Sequence, residues 1–86
     1  MDLSLPGVDS LKEKRRKIKP LLSRLQSRFK VSIAEVDFND NLRQARIGAA
    51  VVSRDAAFAD RMLARIVRAV DSDADMIMTD YRTEIL

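Results

Sequence analysis

The chain has 86 residues, which is enough for one compact domain and too few for two. It contains no cysteine and no histidine, which excludes disulfide bonds, thiolate chemistry and the commonest general base and metal ligand. The net charge of +3 is uneven along the chain, because the segment from Ser10 to Lys30 carries nine basic residues and one acid, and the remaining residues carry an excess of acids.

The N-terminal part of the chain predicts a short strand followed by a long helix. Residues Asp2 to Leu5 are predicted to form the strand. Ser10 and Glu13 have the spacing of a capping box, which indicates that a helix begins there. The apolar residues that follow fall on one stripe about 100° wide, so we predict a single helix from Ser10 to Phe29, bent at Pro20.

The middle of the chain predicts a hairpin. Residues Val31 to Phe38 are rich in β-branched and apolar side chains, which is typical of a strand. The polar residues Asn39 to Gln44 are predicted to form the hairpin loop, and Ala45 to Ser53 the second strand. Gly48, which alanines follow, indicates that another group packs closely against this strand.

The C-terminal part predicts a second helix, an acidic turn and a last strand. Ser53 or Asp55 is expected to cap a helix that runs to about Asp71. The turn covers Asp71 to Asp75, and the regular alternation of Met76 to Leu86 predicts a long half-buried strand. The predicted buried face of the second helix consists of Phe58, Met62, Leu63, Ile66, Val67 and Val70.

The predicted element order, β-α-β-β-α-β, defines the fold class. Short loops and a central hairpin make this order typical of the ferredoxin-like α+β arrangement. We therefore expect residues 1–86 to form a single domain, with two helices packed on one face of a four-stranded antiparallel sheet and the other sheet face open.

Several stretches of the sequence resemble the YlxP family. They are Leu5 to Gly7, Ser10 to Arg16, Arg28 to Val36, Ile47 to Ser53 and Glu84 to Leu86. The resemblance covers nearly the whole chain. It implies a ferredoxin-like domain of bacterial origin, from a family that is often encoded among translation and ribosome-maturation genes and has no established activity. Family members usually carry several more residues before the position of Asp2.

The first helix concentrates cations where helix physics disfavours them. Lysine and arginine in the first turns oppose the helix macrodipole, whereas acids there would stabilise the helix. Clustered cations beside helix-terminal N–H groups suit phosphate, so we predict a nucleic-acid-binding surface. The alternative is a solvated basic face, with Lys14 and Arg15 extending along the edge of the core.

The second helix adds arginines spaced i, i+4 and i+7 on one face. Because both helices should cover the same side of the sheet, their basic faces would form one surface. The alternative is that these arginines are simply solvated. The predicted nucleic-acid-binding residues are Lys12, Lys14, Arg15, Arg16, Lys19, Arg61, Arg65 and Arg68.

Two other kinds of site are not expected. Base stacking on aromatic residues of the sheet is disfavoured, because the strand from Ala45 to Ser53 has no aromatic residue. The acidic turn begins like a calcium loop, but Met76 replaces the required glycine and Arg82 the closing glutamate. We therefore expect no metal and no cofactor.

A catalytic site is not expected either. Glu35 and Asp37 are two residues apart on one strand, with no base, nucleophile or glycine-rich loop beside them. Glu35 is expected on the open sheet face near Arg46, Arg82 or Glu84.

Two functions are consistent with these patterns. The first is a non-enzymatic, RNA- or ribosome-associated binding module that acts through its basic first helix. The second is a homodimeric structural or regulatory domain that uses its open sheet face, because the strands Val31 to Phe38 and Met76 to Leu86 are apolar on both sides. No apolar run approaches the ~20 residues of a membrane span, and a cytoplasmic location is expected.

Overall fold

The computed structural model describes every residue from Met1 to Leu86. The sheet has the strand order β2-β3-β1-β4, and each strand is antiparallel to its neighbours. This topology confirms the ferredoxin-like α+β prediction. Neither helix has the length and apolar character needed to cross a membrane. The elements in chain order are β1 (Asp2–Ser4), α1 (Leu11–Phe29), β2 (Ser32–Asp37), β3 (Gln44–Ala50), α2 (Ala56–Asp71) and β4 (Ile77–Asp80).

Helix α1 is one continuous helix with Pro20 inside it, which confirms the prediction of a single helix; the bend at Pro20 stays a prediction. Its N-terminus is capped by Ser10, whose Oγ accepts a hydrogen bond from the Glu13 N–H at 3.1 Å. The Glu13 carboxylate reaches back to the N–H of Asp9, also at 3.1 Å, so the capping box closes one residue earlier than its usual form. The helix ends at Phe29, and the C-cap residue Lys30 adopts the left-handed conformation typical of a helix C-terminus.

The core fills the space between the two helices and one face of the sheet. Alternation along each strand decides which residues enter it, because successive side chains point to opposite faces. The buried apolar cluster consists of Leu3, Leu5, Val8, Ile18, Leu21, Leu25, Phe29, Ile33, Ala45, Ile47, Ile66, Val70 and Met76. The other face of the sheet carries no helix and exposes Val36 and Ile77; we call it the bare sheet face.

Gly48 has the close neighbour that the sequence predicts. Val36 of the adjacent strand lies over it, and a Cβ at position 48 would lie 3.1 Å from Val36 Cγ1. The absence of a side chain on β3 thus allows a β-branched residue of β2 to lie against the strand.

The last strand is much shorter than predicted. β4 covers only Ile77–Asp80, and residues 81–86 are exposed and outside any strand. The reason lies in its partner: β1 has three residues, and its pairing with β4 ends where Asp2 meets Asp80. A strand extends only as far as a neighbour can accept its hydrogen bonds, however regular its side-chain alternation.

The predicted buried face of α2 is correct except at Phe58. Ile66 and Val70 are almost fully buried, and Met62 and Leu63 pack against the core as partly buried residues. Phe58, in the first turn, is 45% exposed, so the apolar pattern of α2 begins before the part of the helix whose side chains reach the core.

Candidate nucleic-acid interface

Most cations of the two helices have no carboxylate partner. Of the eleven lysines and arginines within α1 and α2, only Lys14, Lys17 and Arg24 have a carboxylate oxygen within 4.0 Å. We call the others the basic helix face, since all of them are exposed and lie on helices that cover one side of the sheet. They are Lys12, Arg15, Arg16, Lys19, Arg28, Arg61, Arg65 and Arg68.

Lys14 differs from the other predicted phosphate ligands because it is buried. Its side chain is 3% exposed, and its Nζ lies 2.8 Å from Glu35 Oε2. The same ammonium group donates a hydrogen bond to the backbone oxygen of Phe38 at 2.7 Å. Lys14 lies one turn before Ile18 on the inward stripe of α1, so its contacts tie α1 to the end of β2. Lys14 therefore lies at the edge of the core, and we no longer include it among the residues expected to bind phosphate.

Glu35 corrects a second prediction, because it faces the helices and not the bare sheet face. It has the same strand parity as the buried Ile33, and alternation therefore directs both toward α1. Its Oε2 is shielded from solvent and makes no well-directed hydrogen bond, so the Lys14 ammonium is its ionic partner. The parity with Ile33 was the signal in the sequence that could have indicated this orientation.

The acidic turn after α2 neutralises the two remaining paired cations of α1. Arg24 donates a hydrogen bond to Asp73 at 3.0 Å, and Lys17 lies 3.8 Å from Asp75. Asp73 also accepts the N–H of Asp75 at 2.9 Å. These contacts tie the carboxylates of Asp73 and Asp75 to α1, and no three acidic side chains in the structure come together as a metal-binding group.

The basic helix face is made of two regions. On α1, Arg15 and Lys19 border a groove of about 370 Å³ that Asp40 also lines, so this region is mixed in charge. Between the two helices, Arg65 and Arg68 lie beside Arg28 in a separate cleft that no acid lines. Arg28 was absent from the predicted site, because only the packing of α1 against α2 brings it to the arginines of α2.

The bare sheet face is electrostatically different from the helices. Arg46 makes a bidentate pair with Asp2, at 2.7 and 3.2 Å, and a further contact with Asp37 at 3.3 Å. The hydrogen bond from Arg46 lowers the pKa of Asp2, and the same bond raises the pKa of Arg46. The Arg46 guanidinium also lies over the ring of Phe38, 4.9 Å from its centroid. This arginine is satisfied by its neighbours, in contrast to those of the basic helix face.

Comparison with known proteins places this ferredoxin-like domain in a family. Residues 1–83 match the family model described as "Protein of unknown function (DUF503)", and the chain belongs to that family. It is similar to the "Uncharacterized protein YlxP" of Bacillus subtilis (strain 168), with 37% identity over 75 residues, which cover 87% of this chain and 82% of the relative. The resemblance to the YlxP family found in the sequence is thereby confirmed.

Proposed function

We propose that the protein is a non-enzymatic binding module for RNA or a ribosomal particle, and that the basic helix face is its contact surface. The observation that carries this proposal is the set of eight exposed helix cations without a carboxylate partner. Cations that are free of internal partners are available to neutralise phosphates and release their counterions. The resemblance to the YlxP family implies that its genes are often found among translation and ribosome-maturation genes, and this context favours RNA over other polyanions as the ligand.

The mode of binding follows from what the sheet lacks. Recognition by stacking would need aromatic residues on the central strands, and β1 and β3 contain none. The proposed contact is therefore electrostatic, through phosphates of structured RNA, and its affinity should depend strongly on salt.

A salt titration tests this proposal. Binding of a fluorescent RNA duplex and of purified ribosomal subunits is measured between about 0.05 and 0.2 M KCl. Each neutralised phosphate contributes about −0.7 to −0.9 to the slope of the logarithm of the binding constant against the logarithm of the salt concentration. Reversing the charges of Lys12, Arg15, Arg16 and Lys19 together should remove binding at the higher salt concentration. The control reverses Arg54 and Arg82, exposed arginines outside the helices that also lack a carboxylate partner. Unchanged binding by the fourfold variant would contradict the proposal.

A second candidate function, homodimerisation through the bare sheet face, is favoured by a separate observation. Val36 and Ile77 are 59% and 57% exposed on that face. A second copy, apposing the same apolar residues, would cover both of them. Light scattering at micromolar concentration tests the dimer, because a mass near 9.8 kDa would contradict it.

A further inference from the structure

Three arginines from two helices converge on one cleft. The cleft has a volume of about 220 Å³ and lies between the last turn of α1 and the second half of α2. Arg28 lines it from α1, and Arg65 and Arg68 line it from α2, together with Ala69 and Ser72. No acidic side chain borders this cleft.

Two of the guanidinium groups are held in place by an aromatic ring. The ring of Phe29 is buried, and its centroid lies 4.9 Å from the guanidinium carbon of Arg28 and 5.6 Å from that of Arg65. Stacking of this kind restricts the planar guanidinium without using its N–H donors. Arg28 and Arg65 are therefore partly ordered before any ligand arrives, which lowers the entropic cost of binding one.

The charges in the cleft are uncompensated. None of the three arginines has a carboxylate oxygen within 4.0 Å, and the neighbouring Asp73 is committed to Arg24. The macrodipole explains a cation in the last turn of each helix, which accounts for Arg28 and Arg68. It does not explain Arg65, which lies in the middle of α2 and adds a third like charge to the same small volume.

We propose that this cleft is a phosphate-binding site, in which the N–H donors of Arg28, Arg65 and Arg68 hold the oxygens of one phosphate group. Arginine suits this ligand because its planar fork can donate two parallel hydrogen bonds to phosphate oxygens. Resting on the proposed function, the inference assigns the cleft to a backbone phosphate of the bound RNA. A free phosphate compound has the same chemistry, and the experiment separates the two sources.

The first arm of the experiment uses RNA. Affinity for a duplex of about 16 base pairs is measured for the wild type and for the double variant Arg65→Gln/Arg68→Gln. We expect the double variant to bind about tenfold more weakly and its salt slope to be smaller by about 1 to 2. The matched control, Arg54→Gln/Arg82→Gln, removes the same charge outside the helices and should change the affinity less than threefold, as a non-local charge effect.

The second arm uses pyrophosphate as the probe, followed by amide NMR. We expect the wild type to show chemical-shift changes centred on Phe29, Arg65, Ala69 and Ser72, and the double variant to lose them while keeping its other resonances. The retained resonances show that the variant is folded.

The two arms separate failure of the site from failure of the proposed function. Suppose that the wild type binds RNA, that the double and control variants bind it with equal affinity, and that pyrophosphate causes no shifts at the cleft. This result contradicts the phosphate site but not the proposed function. If the wild type binds no RNA, the proposed function fails and the cleft is not an RNA site. Pyrophosphate shifts at the cleft in that case assign it to a free phosphate compound.

Discussion

At the scale of single residues, Lys14 and Lys12 illustrate how two equal charges in one motif have different roles. Lys12 is exposed, but Lys14 lies on the inward stripe and is bound by Glu35 and the Phe38 carbonyl. Charge counting alone assigns both to one surface. Their different roles depend on which side of the helix each lysine occupies. The role of Lys14 is evident only from the packing of α1 against β2, the strand that supplies Glu35.

The substitution Lys14→Met tests this role. Methionine retains the packing of the aliphatic stem but leaves Glu35 and the Phe38 carbonyl without their donor. Since Glu35 is 20% exposed and partly solvated, we expect a loss of about 1 to 3 kcal/mol in the free energy of unfolding, measured by urea denaturation. The further change Glu35→Leu should restore part of that loss. If Lys14→Met lowered the RNA affinity as much as the fourfold α1 variant does, Lys14 would instead be a residue that contacts RNA.

Asp2 predicts a dependence of stability on pH. Its pKa is lowered in the folded state by Arg46, so the folded state favours the ionised carboxylate more than the unfolded chain does. The resulting stabilisation is present above the unfolded pKa of about 3.9 and is lost as the pH falls through the lower folded pKa. The variant Asp2→Asn should therefore lose less stability than the wild type between pH 7 and about pH 3, as judged by urea midpoints. Asp40→Asn, which removes an exposed carboxylate without an ion pair, is the control.

At the scale of elements, the accuracy of the sequence predictions depends on how local their signals are. The bounds of α1 follow from a capping residue and an apolar stripe that lie within the helix itself, and both were correct. The length of β4 depends on β1, some seventy residues earlier, and the alternation of Met76 to Leu86 contains no information about that partner. The arginine cleft was missed for the same reason, because it forms only where α1 packs against α2.

The start of α2 gives a prediction at this scale. The sequence left Ser53 and Asp55 as alternative caps, and the structure selects Asp55, whose carboxylate accepts the N–H groups of Ala57 and Phe58. We expect Asp55→Ala to lower the free energy of unfolding by about 1 kcal/mol in urea denaturation. Ser53 accepts only the N–H of Asp55, before the helix begins, so Ser53→Ala should have a smaller effect. Equal effects of the two substitutions would mean that both residues share the cap.

At the scale of the whole molecule, the two candidate surfaces lie on opposite sides of the sheet. The helices cover one sheet face and carry the unpaired cations, and Val36 and Ile77 lie on the other face. Binding through one surface leaves the other free, so the two proposed functions are compatible.

A pair of variants tests this independence. The substitution Val36→Glu places a charge on the bare sheet face, and we expect it to weaken self-association while leaving the RNA affinity within about twofold of the wild type. Reversal of the α1 cations should have the opposite pattern. Light scattering and RNA titration of the same samples provide both readouts, and a joint loss in either variant would show that the surfaces are coupled.

The central position of the three-residue strand β1 has a consequence for synthesis of the chain. β1 pairs on one side with β3 and on the other with β4. The sheet is therefore complete only after Asp80, which pairs with Asp2, has been translated. The hairpin of β2 and β3 can form as soon as it leaves the ribosome, but one edge of β1 has no partner for its backbone groups until β4 has emerged. We therefore expect a nascent chain halted before Ile77 to be collapsed yet sensitive to protease, and a chain that includes β4 to gain its protection in a single step.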